Sequence, residues 1–313
     1  MQTILGPNGT IGRLLARALI SYTAEIRLAS RNPRQLNGHS CELMKVDLLN
    51  SADALKAIEG SEVVYLTVGL PYDTAIWQSD WPVIIQNVIQ ACEEHRAKLV
   101  FFDNVYLYGK VDGWMLEDSP VNPSSMKGEV RARVAQSIHD AINRGSINAL
   151  IARSADFYGE TPLSIPYLTI FERFLSGKTA QSLVSDAHLH SYTYVCDAAK
   201  ATALLGNTDS AYNQVWHLPT DKTVLTGREF IELAAKVFQV SGRYTKVTPL
   251  MMKFLGWFSK PLKEMQEMNY QLDSDYLFSS NKFDTTFGKQ WVSYEHGLTE
   301  IASRMKKAST TMA

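Results

Sequence analysis

A short apolar run, Met1–Leu5, opens into Gly6-Pro7-Asn8-Gly9-Thr10-Ile11-Gly12, and helical periodicity takes over at once through Ile11–Ile20. Few sequence features restrict a fold as much as glycines at spacing three and three between a strand and an amphipathic helix. Gly6 permits the tight turn off the strand, Gly9 lets the backbone approach a pyrophosphate, and Gly12 lets the helix pack close to the strand. Asn8, Thr10 and Ile11 complete the loop, and the helix N-terminus behind it offers free N–H groups and a positive dipole to an anion.

The rest of the first half obeys the same alternation. Glu25–Ser30, Glu42–Val46, Val63–Val68, Leu99–Asp103 and Asn148–Arg153 read as strands, and Ser51–Ile58, Trp81–His95 and Lys127–Arg144 as helices, with Ser51 as a candidate N-cap. Strands and helices at this spacing predict an α/β fold, a Rossmann-type doubly wound parallel sheet with right-handed crossovers. Ligands of such sheets lie outside the carboxyl ends of the strands, where the glycine loop, Arg31, Asp47, Gly69 and Asn104 all fall. Residues 1–155 are expected to form the dinucleotide-binding domain. Beyond them the pattern loosens: Pro162–Ser176, Gly227–Phe238 and Leu250–Asp273 read as helices, His190–Val195 and Val215–Leu218 as strands. Residues 156–313 are expected to be mostly a smaller substrate lobe, with returning segments at about 188–218 completing the sheet.

Composition narrows the partners. With a formal net charge of -1, no overall field draws the chain to nucleic acid or an anionic membrane, and neither partner is expected. No apolar run approaches the roughly 20 residues of a spanning helix. Cys41, Cys92 and Cys196 are too scattered for a metal site or a disulfide framework, and the chain enters its first strand without a basic leader, so a cytoplasmic location is expected. The apolar stretch Leu250–Phe258 is expected to serve as lobe core or pocket lid in preference to an interfacial helix.

The cofactor can be read further at the second strand's exit. A site for NAD often carries an acid there for the ribose 2′-hydroxyl. This chain has Ala29-Ser30-Arg31-Asn32 and then Arg34, with no carboxylate. A guanidinium can grip a 2′-phosphate bidentately, so NADP is expected in preference to NAD. The alternative is that Arg31 is a solvated charge.

Several further motifs accompany the loop: Val46-Asp47-Leu48, Tyr108-Gly109, Arg153 followed by Tyr158-Gly159, Tyr194-Val195-Cys196-Asp197-Ala198, Asn281-Lys282-Phe283 with Phe287-Gly288, and Glu295-His296-Gly297-Leu298. Together they resemble the extended short-chain dehydrogenase/reductase superfamily, of the NAD-dependent epimerase/dehydratase type, over nearly the whole chain. The resemblance implies that Asp47 and Leu48 border the adenine and that Thr67, Val68 and Gly69 pass behind the cofactor. It implies a small-molecule substrate, such as a sugar nucleotide or another carbonyl compound, and allows a homodimer.

The catalytic core departs from that family. Active members carry Ser or Thr four residues before the Tyr-Gly pair, where this chain has Asn104. Their Tyr-x-x-x-Lys is absent. One register sets Lys127-Gly128 on Tyr-Gly and Arg131 on the Lys; a second sets Lys127 on the Lys and leaves Pro123 at the Tyr. Lys127, crowded by Arg131, is expected to serve as an acid/base, with Asn104 polarising a carbonyl; alternatively, both cations only hold cofactor. Tyr72 and Tyr108 are candidate substitute phenols, and Asp156, Tyr158 and His190 candidate substrate contacts. The expected function is an NAD(P)-dependent oxidoreductase or epimerase/dehydratase-like enzyme with an atypical active site. The alternative is a non-catalytic NADP-binding redox sensor or scaffold.

Overall fold

The first unit is organised by a seven-stranded, wholly parallel sheet. A computed structural model describes residues 1–162 and 164–312. In chain order come β1 (Gln2–Leu5), α1 (Thr10–Leu19), β2 (Ile26–Ser30), β3 (Glu42–Lys45), α2 (Ser51–Ile58), β4 (Val63–Leu66), α3 (Thr74–His95) and β5 (Lys98–Asp103). The segment Tyr108–Pro120, with β6 (Trp114–Met115), belongs to the second unit. The chain then returns to the first with α4 (Met126–Asn143) and β7 (Ala149–Arg153).

There follow β8 (Asp156–Tyr158), a π turn over Tyr167–Phe171 that runs into α5 (Glu172–Leu175), β9 (Ala180–Leu183), β10 (Leu189–His190) and β11 (Tyr192–Tyr194). Next are α6 (Val195–Gly206), β12 (Val215–His217), β13 (Leu225–Thr226), α7 (Gly227–Phe238) and β14 (Tyr244–Val247). The chain ends with α8 (Pro249–Gly256), α9 (Lys260–Met265), β15 (Leu277–Phe278), α10 (Asn281–Phe287) and α11 (Tyr294–Met312).

The sheet order is β12-β7-β5-β4-β1-β2-β3. The order reverses between β1 and β4, a topological switch point of the kind that creates a ligand crevice. Because every strand is parallel, all seven carboxyl ends lie on one edge. Side chains alternate across the central strands. Val64 and Leu66 enter the core made with α2, α3 and α4, which also holds Trp77, Trp81, Ile85, Val88, Val134 and Ile138. Tyr65 points the other way, where a Cβ on Gly206 would lie 2.3 Å from its hydroxyl oxygen, and it donates to Gln2 Oε1 at 2.9 Å.

Unit 2 comprises Tyr108–Pro120, Ala155–Asp197 and Pro219–Ala313. Its strands pair two by two: β8 with β11, β9 with β14, β10 with β13 and β6 with β15. An aromatic core of Tyr158, Tyr194, Phe230 and Tyr294 packs beside β8 and β11.

Several local expectations are corrected. The α2 N-cap is Asn50, whose side chain accepts from the Ala52 and Asp53 amides; Ser51 is the first helical residue. α3 begins two turns earlier than Trp81, because Asp73 caps it by accepting from the Ala75 and Ile76 amides, and Pro82 sits inside the helix. The stretch at 190–195 is not a single strand: β10 and β11 are separate and neither joins the large sheet. Of the returning segments only β12 does, beside β7. Pro162 is a turn residue, and Leu163 lies outside the described residues. The run at 250–273 breaks into α8, α9 and a 3-10 turn at Gln266–Gln271. Within it only Met252, Gly256, Met268 and Gln271 are buried, so Leu250–Phe258 is not lobe core: Leu250, Phe254, Trp257 and Phe258 are exposed.

Candidate functional site

The glycine loop has internal reasons for two of its three glycines. Gly6 has φ +92°, and a Cβ there would lie 2.8 Å from the Val68 backbone. A Cβ on Gly12 would lie 2.5 Å from the Gly6 carbonyl oxygen and 2.7 Å from Pro7 Cα. Gly9 differs: a Cβ would meet nothing closer than 3.8 Å, and its φ of -68° suits any residue. Gly9 is also the N-cap of α1, which has no side-chain cap. Helices α2, α3, α4 and α7 are capped by Asn50, Asp73, Ser125 and Thr226. A helix leaves its first-turn N–H groups without intrahelical partners, and at α1 the amides of Thr10, Ile11 and Gly12 are the ones an anion would meet.

Around the loop, Asn8 Nδ2 donates to the Asn32 carbonyl at 2.8 Å and to Ser30 Oγ at 3.3 Å, tying the loop to the exit of β2. Arg31 stands exposed at that exit. Thr67 Oγ1 donates to the Leu5 and Gly6 carbonyls at 3.2 and 3.3 Å, which locks the end of β4 to the loop. Val68 is half-buried behind it, and Gly69 is exposed, with nothing within 4 Å of its would-be Cβ. At the exit of β3, Asp47 Oδ1 accepts from the Leu49 amide at 3.1 Å, and Leu48 is buried. All these positions follow carboxyl ends of neighbouring parallel strands, so the structure gathers the expected cofactor residues on one edge of unit 1.

The expected catalytic cations are held by the protein itself. Lys127, one residue into α4, has no solvent-exposed surface. Its Nζ donates to Thr74 Oγ1 at 2.9 Å and lies 4.5 Å from the centre of the Tyr72 ring. Arg131 does not press on Lys127 as the spacing of four suggested; its charge is met by Asp103. Its Nε and Nη2 donate to Asp103 Oδ1 at 2.8 and 2.5 Å, and Arg153 Nε donates to Oδ2 at 3.1 Å. The guanidinium carbon lies 4.5 Å from the Trp81 ring centre and 4.7 Å from that of Phe101. Arg131 is therefore a core residue. The Arg153 cation is felt nearby: burial first, and then Arg153, holds the His139 imidazole below its ordinary value. Asn104 Oδ1 accepts from the Tyr106 amide at 3.1 Å, bracing the turn after β5. Gly128 is fixed by close approach, since a Cβ would lie 2.6 Å from the Tyr106 carbonyl oxygen.

In unit 2, His190 Nε2 and Asp156 Oδ2 are 3.1 Å apart. The imidazole lies between the rings of Tyr276 and Tyr192, 4.3 and 4.4 Å from their centres. Tyr158 is enclosed in the aromatic core, and burial raises its phenol well above the ordinary value. Tyr108 is equally enclosed, and its hydroxyl reaches the Glu117 carbonyl at 3.5 Å. Neither phenol has the exposure that contact with a substrate requires. Thr74, Trp77 and Trp81 escape the sequence reading; the Asp73-Thr74 capping pair was the available signal. Among the described residues no group of three or more His, Cys, Asp or Glu is placed to hold a metal, and no helix is long and apolar enough to cross a membrane.

The sequence model of the NAD dependent epimerase/dehydratase family matches residues 3–216. No protein of curated function matches the chain in sequence. Solved structures match the fold over 98% of the chain. A dTDP-glucose 4,6-dehydratase of Streptomyces venezuelae with NAD bound is 16% identical, covered over 97% of its length, with a TM-score of 0.80. The NAD complex of the UDP-glucose 4-epimerase of Thermus thermophilus is 17% identical, covered over 100%, with a TM-score of 0.79. The UDP-glucuronic acid 4-epimerase of Bacillus cereus, with UDP-glucuronic acid and NAD, is 18% identical, covered over 100%, with a TM-score of 0.79.

Proposed function

The chain belongs to the NAD dependent epimerase/dehydratase family, and on that premise we propose that it binds a nicotinamide dinucleotide at Gly6–Gly12 and acts with it on a sugar nucleotide or a related carbonyl compound. The observation that carries this reading is the N-terminus of α1: no side chain caps it, and Gly9, with nothing nearer than 3.8 Å to a would-be Cβ, leaves its first-turn amides open to an approaching anion. The residues fit the group. The amides of Thr10, Ile11 and Gly12 receive the diphosphate, Asp47 and Leu48 border the adenine, and Thr67, Val68 and Gly69 line the far side. Arg31 favours NADP: it is exposed, and no carboxylate stands at the exit of β2 to repel a 2′-phosphate. The related structures above were solved with NAD, so this preference belongs to Arg31 alone.

The bound nicotinamide supplies hydride acceptance and return. Proton movement at the substrate oxygen falls to Tyr72, whose ring lies against the Lys127 ammonium; Lys127 and Thr74 hold it in place, and Asn104 Nδ2 remains as a donor toward a carbonyl. Asp156, partly exposed and held by the buried His190, reads as a substrate contact. A second reading, a non-catalytic dinucleotide sensor, is favoured by two observations: Lys127 has no exposed surface, and Arg131 is locked to Asp103. Titrations with NADPH and NADH, followed by nicotinamide fluorescence, test the binding. Gly9→Val should abolish it at unchanged stability, and Arg31→Asp should reverse the preference between the two. Undiminished affinity in Gly9→Val sinks the proposal. Reduction of bound NADP or NAD by added UDP-glucose or UDP-glucuronic acid separates the enzyme from the sensor.

A further inference from the structure

Among the described residues the three most exposed large apolar side chains stand on or just after one short helix of unit 2. On α8 and the two residues after it, Leu250 is 76% exposed, Phe254 57%, Trp257 74% and Phe258 78%, with Met251 and Leu255 beside them. The aromatic rings are contiguous, Phe254 standing 6.0 Å from Trp257 and 5.5 Å from Phe258. The helix is mounted firmly from behind. Thr248 caps it, accepting from the Met251 amide. Met252 and Gly256 are buried, a Cβ on Gly256 would lie 2.2 Å from Gln266 Nε2, and that amide donates to the Met252 carbonyl at 3.2 Å. The outward face is thus built into the lobe, and it forms a continuous patch where single exposed apolar residues would be unremarkable.

Charge narrows what covers it. Between Glu232 and Glu264 the chain carries six cations and no carboxylate, although its overall charge is -1. Lys236 is paired with Glu295 and Lys246 with Asp186. Lys253 and Lys263 stand exposed beside the patch. The expectation of no membrane partner followed from the overall charge, and this local excess differs from it. A second copy docked by two-fold symmetry would set the same lysines against each other, with no carboxylate in the segment to pair them. Exposed Trp and Phe flanked by Lys suit the boundary between anionic headgroups and acyl chains.

We infer that α8, with Trp257 and Phe258, is a peripheral docking surface for an anionic phospholipid membrane. Aromatic side chains enter the headgroup boundary while the lysines meet lipid phosphates; nothing crosses the bilayer. The patch shares no residue with the dinucleotide loop, so its test does not depend on the proposed activity.

The full chain is mixed with phosphatidylcholine vesicles and with vesicles containing phosphatidylglycerol, and the bound fraction is read by co-sedimentation. Binding is expected only with phosphatidylglycerol, falling as salt is raised. The double variant Trp257→Ser, Phe258→Ser should bind about tenfold or more weakly, since two large apolar side chains are no longer buried. Both positions are exposed, so unfolding midpoints should stay unchanged, and NADPH titration should match the wild type. Lys253→Gln with Lys263→Gln should flatten the salt dependence. Equal vesicle binding by wild type and the serine variant overturns the inference. So does an absence of vesicle binding together with a dimer that the serine variant dissolves, which assigns the patch to a second copy.

Discussion

Removing the Asp103 carboxylate should be among the most damaging single changes in unit 1. Asp103 accepts from Arg131 Nε and Nη2, from Arg153 Nε and from the Asn104 amide, and its side chain has no exposed surface. Arg131 is 4% exposed and Arg153 3%. Asp103→Ala takes away the anion that both guanidiniums share and leaves their charge in the core. Breaking a buried pair in this way costs about 3–5 kcal/mol, against a total stability of about 5–15 kcal/mol for a typical protein. Arg131→Met is milder: Asp103 keeps Arg153 and the Asn104 amide, so the loss is about 1.5–3 kcal/mol for charged hydrogen bonds, partly offset by a Met that still fills the space against Trp81 and Phe101. Urea unfolding followed by tryptophan fluorescence, to which Trp77 and Trp81 beside Arg131 contribute, reads both values. A loss below about 1 kcal/mol in Asp103→Ala refutes the claim that this network holds α4 to β5 and β7. Arg131→Met that keeps its stability but loses NADPH affinity returns Arg131 to the binding machinery.

Gly12→Ala should destabilise by about 1–3 kcal/mol, because the new Cβ lies 2.5 Å from a backbone oxygen that cannot step aside; unfolding midpoints separate it from Gly9→Ala, which should be silent in stability. Asp186 should govern part of the acid limb. Burial alone would raise its carboxyl, but hydrogen bonds from Lys246 and Tyr244 outweigh it and hold the group at about 2, below the ordinary 3.8. Its contribution is therefore complete above the unfolded value and is lost as pH falls from about 4 toward 2; Lys246→Met should move the acid unfolding midpoint upward, and an unmoved midpoint is the contrary result. Lys127→Met keeps the side chain's length and removes the ammonium that donates to Thr74, so stability should fall by about 1.5–3 kcal/mol. If Tyr72 depends on the ammonium, turnover of a sugar nucleotide should fall with NADPH affinity unchanged, whereas lost affinity marks Lys127 as an anchor.

The sheet was legible because its signals are local. A glycine loop after an apolar strand, and buried strands that read as unbroken apolar runs, need no tertiary information. Boundaries failed where a side chain settles the matter. Asn50 and Asp73 outcompete Ser51 and the apparent start at Trp81, since each reaches two amides at once. Pro82 lies inside the helix, in its third turn. The second unit was less legible because its pairing is short and non-local: β6 waits until β15 for its partner.

The site divides on the same line. Gly6 and Gly12 follow from the sequence pattern, and the structure adds the contacts that forbid a side chain at either. Lys127 and Arg131 could be located but not interpreted, because spacing on a helix states which residues share a face and leaves open what that face meets. Here it meets Asp103, Trp81, Tyr72 and Thr74. The first absorbs one cation and the last three enclose both. Gly128 then fixes the outcome: with the Tyr106 carbonyl 2.6 Å from where its Cβ would be, the first turn of α4 cannot slide or rotate away from the turn after β5. Lys127 is consequently directed at Thr74 by backbone packing that its own chemistry does not control.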